Sequence, residues 1–227
     1  DMPPRNVFVV SIDTMAVSRL RNYGATTSSM PFLDSMLDQS ITLKNHQSCS
    51  NWTLASVLCV QTGKDAVALE FVASTSSMVG NIAPANMVGF QDYHPLEPWS
   101  LLTTANRWFS NDWNSSVGFD AEVLFSVDAK NEDRTDISAL NLYEGGVSRV
   151  VNHKSQPWYY HLHSYDLHAP YNPPDAYLVG IEELPPISYD LSTRIGHYDP
   201  VNAWIGLAKS EQENVLQHLN FRYDAEM

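Results

Sequence analysis

The first residue in the chain with a candidate chemical role is an aspartate at the end of a predicted strand. Asp13 directly follows the short apolar run 6–12, which predicts a buried strand of a parallel sheet. Open α/β sheets bind ligands beyond the carboxyl ends of their strands, and carboxylate oxygens suit hard divalent cations. Asp13 is therefore a candidate metal ligand, and an ordinary turn or helix-capping aspartate is the alternative.

A threonine opens the second candidate stretch. The run 53–61 predicts a helix that begins at Thr53 and ends before Gly63. The unpaired N–H groups and the dipole of a helix N-terminus favour an anion such as sulfate or phosphate, and a bound metal would activate the hydroxyl for attack. Thr53 is thus a candidate nucleophile, with plain helix capping as the alternative.

Histidines and an aspartate cluster at a later strand. His161 and His163 fall on one face of the predicted strand 158–163, and Asp166 and His168 follow in a proline-rich loop. Such groups can bind a metal or protonate a leaving group. A polar loop whose histidines have ordinary hydrogen-bond partners is the alternative.

The elements that must position these groups alternate between strands and helices. The predicted strands are 6–12, 41–43 and 158–163. The predicted helices are 30–37, 53–61, 101–107, 136–151 and 210–226, the last of them capped by Ser210. Turn-forming residues and little periodicity mark 64–99 and 172–209. Strands separated by helices predict an α/β fold with a mostly parallel sheet flanked by helices.

Composition narrows the class of protein. The 227 residues carry a formal charge of -13, which disfavours nucleic acid and anionic membranes as partners. No apolar run approaches the roughly 20 residues of a membrane span. The chain opens at Asp1 rather than at a methionine, which fits a processed mature end whose targeting segment is gone. Cys49 and Cys59 could pair with each other or remain two buried thiols.

Taken in chain order, these stretches resemble the sulfatase family of the alkaline-phosphatase superfamily. The matching stretches are Ser-Ile-Asp-Thr at 11–14, Tyr-Gly at 23–24, Thr-Gly at 62–63, Gly-Phe-Asp at 118–120, His-x-x-Asp-x-His-x-Pro-Tyr at 163–171 and Tyr-Asp-x-Glu at 223–226. Each motif is weak alone, but the ordered set spans nearly the whole chain. The resemblance implies an alkaline-phosphatase-like α/β fold, with 1–227 as the N-terminal part of a sulfatase-like domain that is incomplete in this chain.

The resemblance also implies roles for five residues. Asp13 would be a metal ligand, and Thr14 stands where many members have a second ligand aspartate. Thr53 would be both the nucleophile and a metal ligand, while His168 and Lys64 would contact the sulfate or the leaving group. The implied cofactor is a divalent metal, calcium, magnesium, manganese or zinc, with its loss as the alternative. The implied activity is metal-dependent hydrolysis of sulfate or phosphate esters.

The nucleophile helix departs from the family pattern. Sulfatases convert the first residue of Cys/Ser-x-Pro-x-Arg to formylglycine, whereas this chain has Thr53, Ala55 and Val57 at those places. Threonine cannot become formylglycine, so two other functions stay open. One is a phosphotransferase that works through a Thr53 adduct, and the other is a catalytically degenerate binding or structural subunit. Cys49, which Ser50 follows, is a less favoured alternative nucleophile because it lies far from the Thr-Gly pair.

A further departure concerns the rest of the metal site. The family completes it with an Asp-His or Asp-Asn pair downstream of the Tyr-Asp-x-Glu helix, and neither pair occurs as adjacent residues in the chain. The resemblance therefore implies a C-terminal fragment or second polypeptide that completes the domain, or else a dead site. The implied substrates are sulfated or phosphorylated small molecules, glycans or lipids. The implied location is extracytoplasmic, meaning periplasmic, cell-surface or secreted.

Overall fold

The computed structural model describes residues 6–65, 68, 98–110, 113, 115–125 and 138–227. Most of the predicted irregular stretch 64–99 therefore lies outside the described residues. The chain divides into two compact units, the first made of Asp1–Asp13 and His46–Asp166 and the second of Thr14–Asn45 and Leu167–Met227. Its longer helices are α1 (Pro31–Leu37), α2 (Thr53–Thr62), α3 (Ala139–Asn152), α4 (Arg194–Ala203) and α5 (Lys209–Glu226).

A parallel sheet forms the centre of the first unit. Its strands are β1 (Val7–Ile12), β2 (Trp99–Thr104), β3 (Ala121–Leu124) and β4 (Trp158–Ser164). They lie in the order β1-β4-β2-β3, and each neighbouring pair is parallel. The predicted α/β architecture with a mostly parallel, helix-flanked sheet is confirmed.

Each face of the sheet packs against one helix. Successive side chains of a strand point to opposite faces, so Leu102 packs towards α2 while Leu101 packs towards α3. Both leucines are fully buried, and each contributes about 2 kcal/mol of hydrophobic free energy. The carboxyl ends of β1, β2 and β4 consequently meet at one edge of a sheet that is covered on both sides.

Paired glycines explain how α3 approaches the sheet. The Gly145–Gly146 pair weakens the helix by intrinsic propensity, by about 1 kcal/mol for each residue. A Cβ atom on Gly146 would lie 1.9 Å from the hydroxyl of Tyr160 in β4. That hydroxyl contacts the Thr103 hydroxyl at 2.9 Å and donates to the Leu142 carbonyl at 3.2 Å. The missing side chain therefore lets the helix sit directly on a buried tyrosine.

Two predicted elements are wrong. The helix predicted at 101–107 is the end of strand β2 and the turn after it. All of 100–104 is buried, and a short segment that is buried on both faces has no periodicity that separates a strand from a helix. The strand predicted at 41–43 is coil, in which Ile41 and Leu43 are 92% and 65% exposed, and none of the described strands pairs with it.

The second unit is helical. It contains α1, α4 and α5. Helix α4 was missed in the turn-rich stretch 172–209, because Gly196 and Pro200 interrupt its periodicity. Helix α5 was predicted, but Ala208 rather than Ser210 precedes it and no side chain caps it. No helix among the described residues has the length and apolar character needed to cross a membrane.

A disulfide joins Cys49 to Cys59 within the first unit. It ties the segment that leads into α2 to the body of that helix. The pairing settles the two alternatives left open for the cysteines. It also removes Cys49 as the alternative nucleophile, since a sulfur held in a disulfide carries no thiolate.

Candidate active site

The Asp13 carboxylate lies where three elements of the first unit converge. Its backbone N–H donates to the Ser164 carbonyl at 3.0 Å, which continues the pairing of β1 with β4 by one residue. Its Oδ2 atom accepts a hydrogen bond from the Thr53 hydroxyl at 3.2 Å and another from Asn106 Nδ2 at 2.9 Å. The side chain is only 10% exposed. The structure therefore brings together Asp13 and Thr53, which lie 40 residues apart.

Thr53 begins α2 but does not cap it. The residue that precedes the helix is Trp52, whose side chain makes no capping hydrogen bond to the described first turn. The Thr53 hydroxyl donates to Asp13 instead of to its own helix. A helix N-terminus favours an anion, and because the Thr53 hydroxyl donates to Asp13, helix capping does not describe its contact.

Asn106 is a site residue that sequence reasoning missed. It follows β2, is 3% exposed, and its Oδ1 atom accepts from the Trp108 N–H at 3.0 Å. That bond identifies the amide nitrogen as the end that donates to Asp13. The sequence does contain a signal for it, the change from Leu101–Leu102 to Thr-Thr-Ala-Asn, which is typical of a strand end. The helix predicted at 101–107 hid that signal.

Two buried histidines lie next to this carboxylate. Ser11 Oγ is 2.8 Å from His161 Nε2 and 2.8 Å from His163 Nδ1, which confirms that both rings lie on the same face of β4. His163 Nε2 is 3.6 Å from Asp13 Oδ2. Burial, together with the charge of the neighbouring His163, lowers the pKa of His161 to about 3, so that ring is neutral at physiological pH.

Thr14 and His168 belong to the second unit. Thr14 has a φ of 55°, a left-handed conformation that is strained for a β-branched residue, and its hydroxyl donates to the Leu167 carbonyl at 2.5 Å. His168 Nδ1 is 2.8 Å from the carbonyl of Ala169, so this nitrogen carries a proton. Thr14 also lines a cavity of about 470 Å³ in this unit. Its other lining residues are Ala16, Ser18, Arg19, Tyr171, His197, Leu219, Asn220 and Tyr223.

The structure does not bring Lys64 together with Thr53. These residues lie at opposite ends of the ten-residue helix α2, which spans about 15 Å. The Lys64 side chain is exposed, and its backbone N–H donates to Thr62 Oγ1 at 3.2 Å. A role for Lys64 at the Thr53 hydroxyl would need a reach longer than a lysine side chain.

The donors around Asp13 fit a divalent metal in part. Among the described residues, no group of three histidine, cysteine, aspartate or glutamate side chains is clustered closely enough to hold a metal ion. The site does combine one carboxylate, the Thr53 hydroxyl and the buried His163 Nε2 atom, for which the described part of the chain provides no hydrogen-bond partner. Mixed nitrogen and oxygen donors suit zinc or manganese, whereas calcium takes six to eight oxygen ligands.

Comparison with known proteins places this arrangement in a family. A family model described as Sulfatase matches residues 5–184. The periplasmic domain of phosphoethanolamine transferase EptC from Campylobacter jejuni has a similar structure, with 13% identity and a TM-score of 0.55 over 99% of this chain and 62% of that one. No curated protein matches the chain in sequence.

Two further solved structures share the fold. Phosphonate monoester hydrolase of Agrobacterium radiobacter is 15% identical with a TM-score of 0.62, over 99% of this chain and 57% of its own. A protein solved in complex with its substrate D-glucosamine-2-N,6-O-disulfate is 13% identical with a TM-score of 0.65, over 97% of this chain and 54% of its own. The chain thus spans between about half and three fifths of the length of these relatives, and at such low identity the likeness concerns the fold.

Proposed function

Because the chain belongs to the sulfatase family, we propose that it forms part of a metal-dependent hydrolase of sulfate or phosphate esters with Thr53 as its nucleophile. The observation that carries the proposal is the 3.2 Å contact between the Thr53 hydroxyl and Asp13 Oδ2 at the carboxyl edge of the sheet. A hydroxyl that caps a helix could not attack an ester, whereas the Thr53 hydroxyl donates to a carboxylate that can accept its proton.

The chain's own residues would divide the work as follows. Asn106 holds the Asp13 carboxylate in place, and that carboxylate orients the Thr53 hydroxyl. The N-terminus of α2 favours the negative charge of a sulfate or phosphate group. A divalent cation held by Asp13 and Thr53, with Thr14 as the further ligand that the family pattern implies, would make the hydroxyl oxygen a better nucleophile at neutral pH.

In the proposed step, Thr53 Oγ forms a bond to the sulfur or phosphorus atom and its proton passes to the Asp13 carboxylate. The bond from that atom to the ester oxygen breaks, and the departing oxygen takes a proton from His168. Water then cleaves the threonine ester and regenerates the hydroxyl. The roles of His168 and Lys64 rest on the family pattern alone.

A phosphotransferase is the second candidate function. An unmodified threonine cannot follow the formylglycine route, and a Thr53 adduct could pass to an alcohol of a lipid or glycan instead of to water. Three of the similar solved structures, which represent two proteins, are named phosphoethanolamine transferases. These names favour a threonine-based transfer as the variant of the same chemistry.

A degenerate binding or structural subunit is the third candidate. Ala55 and Val57 stand at the family's proline and arginine places, and both are 6% exposed in the core. Neither side chain could therefore contact a substrate anion. The absence of the family's proline and arginine favours a protein that keeps the fold but neither binds a metal nor catalyses a reaction.

We also propose that 1–227 acts as the N-terminal part of a larger domain. Strand β1 lies at the edge of the described sheet, and its Phe8 and Val10 are 46% and 50% exposed. A C-terminal fragment or second polypeptide would cover them and add metal ligands. A sulfated or phosphorylated small molecule, glycan or lipid would be the substrate, and the Cys49–Cys59 disulfide supports a periplasmic, cell-surface or secreted location.

Substitution of Thr53 tests the function. Thr53→Ala should abolish turnover of p-nitrophenyl sulfate and bis(p-nitrophenyl) phosphate measured with added zinc, manganese, magnesium or calcium, because it removes the attacking oxygen. Thr62→Ala is the matched control, since its hydroxyl donates to the Leu58 carbonyl at the far end of the same helix. An unchanged rate in Thr53→Ala removes this residue from the mechanism.

The products separate the three candidates. A hydrolase releases free sulfate or phosphate, whereas a transferase gives a new ester when an alcohol is added. Both should leave a covalent adduct on the peptide that contains Thr53 when the reaction is quenched with acid. If no metal supports turnover or an adduct, the degenerate subunit is the remaining function.

A further inference from the structure

Three side chains of β1 and β4, two buried histidines and the half-buried Ser11, form a row next to the Asp13 carboxylate. Ser11 lies between His161 and His163, and its hydroxyl oxygen is 2.8 Å from a ring nitrogen of each. The two histidines are 1% and 3% exposed. The row ends with His163 Nε2, a buried nitrogen that has no hydrogen-bond partner among the described residues and lies 3.6 Å from Asp13 Oδ2.

The serine allows two arrangements of protons when both rings are neutral. The Ser11 hydroxyl has one proton, so it donates to one ring nitrogen and accepts from the other. In the first arrangement His161 donates, Ser11 donates to His163 Nδ1, and His163 Nε2 carries a proton towards Asp13. In the second, His163 Nδ1 donates to Ser11, Ser11 donates to His161 Nε2, and His163 Nε2 presents a lone pair towards Asp13.

A cation would favour the second arrangement. A lone pair and a carboxylate oxygen that face each other in a buried site repel one another, and a positive charge between them removes that repulsion. Two ligands of one tetrahedral zinc ion, each bound at about 2.1 Å, lie about 3.4 Å apart. The observed separations from Asp13 Oδ2 are 3.6 Å to His163 Nε2 and 3.2 Å to Thr53 Oγ1.

We propose that His163 is a ligand of the same divalent cation as Asp13, and that Ser11 holds His163 in the tautomer that ligates it. This inference rests on the metal-dependent function proposed above and adds a nitrogen donor from β4 to it. A metal-bound histidine almost always donates its other ring N–H to a neighbouring acceptor, and Ser11 provides that acceptor. The added imidazole makes zinc or manganese a better fit than calcium or magnesium.

Metal binding by the whole protein, treated with chelator and then titrated with zinc in a calorimeter, tests the assignment without any substrate. His163→Gln, which keeps an N–H donor for Asp13 but lacks the imidazole, should weaken zinc binding about 100-fold or more. Ser11→Ala should weaken it about 10-fold, since it removes the acceptor that fixes the tautomer. His161→Gln is the matched control on the same face of β4 and should change the affinity less than Ser11→Ala does.

Nitrogen NMR of the unaltered protein, labelled at its histidines, covers the case in which a buried variant fails to fold. Zinc should shift the His163 Nε2 resonance to the range of a metal-bound nitrogen and leave the proton on Nδ1. If the His163 resonances do not respond to zinc, or if His163→Gln binds zinc as tightly as the unaltered protein, the assignment is overturned.

The outcomes distinguish this inference from the proposed function. Zinc binding that depends on Asp13 but not on His163, with turnover intact, refutes the His163 assignment and keeps the hydrolase. Zinc binding that His163→Gln weakens, in a protein without turnover on any ester, supports the assignment and refutes the hydrolase. A protein that binds neither zinc nor manganese refutes the assignment.

Discussion

Replacing Asn106 by aspartate would expose the electrostatics of the site. The change keeps the Oδ1 atom that accepts from the Trp108 N–H, and it exchanges the amide nitrogen 2.9 Å from Asp13 Oδ2 for a second carboxylate oxygen. Asn106 is 3% exposed and the Asp13 side chain 10%, so water screens the pair weakly. Two carboxylates at this distance cannot both ionise without a cation, and they share one proton instead.

The cost follows from the proton that the folded state must take up. An unfolded aspartate has a pKa of about 3.9, so keeping one carboxyl protonated at pH 7 costs about 4 kcal/mol at 1.36 kcal/mol per pH unit. Because the folded state binds more protons than the unfolded state over this range, stability falls as pH rises. The loss should be close to zero near pH 4 and reach about 4 kcal/mol at pH 7.

Urea unfolding at several pH values, each compared with the unaltered protein, measures this slope. Asn106→Ala is the control, because it removes the hydrogen bond to Asp13 without adding a charge. It should cost about 1.5–3 kcal/mol at every pH. A loss in Asn106→Asp that stays constant between pH 4 and pH 7 would refute the contact between Asn106 and Asp13.

Two further predictions concern stability. Gly146→Ala should destabilise the protein by about 2 kcal/mol in urea unfolding. Its Cβ displaces the Tyr160 hydroxyl from two buried hydrogen bonds, while the higher helix propensity of alanine returns about 1 kcal/mol. A neutral or stabilising result would contradict the close packing of α3 on β4. The depressed pKa of His161, about 3, means that the unfolded state binds an extra proton between this value and about 6.5, so stability should fall by about 1.4 kcal/mol per unit as pH drops through that window. His161→Phe should remove that slope, and an unchanged slope would show that another group causes it.

The contact between Asp13 and Thr53 could be predicted from the sequence. Strand ends and helix starts are marked by local residue patterns, and parallel topology places them at one edge of the sheet. The family pattern supplied the pairing of the two stretches, which no local pattern contains. The alternation rule likewise placed His161 and His163 on one face.

Other parts of the site could not be predicted because tertiary burial overrides local pattern. Strand β2 is buried on both faces and therefore lacks the alternation of a half-buried strand. The sequence predicted a helix at 101–107 instead, and Asn106 was not recognised as a residue at a strand end. The sequence predicted no contact for the Ser11 side chain, since its partners lie 150 and 152 positions away. Helix α4 was missed because Pro200 stands inside it.

The strand order has a consequence for when the site can exist. Strand β4 is the last of the four in the chain, yet it lies between β1 and β2, and within the described part of the sheet it is the only partner of β1. During synthesis, β1 can therefore pair with β4 only after some 150 further residues have been made. A nascent or proteolysed chain that stops short of Trp158 would contain helix α2 but lack β4, the strand that pairs with β1 next to Asp13.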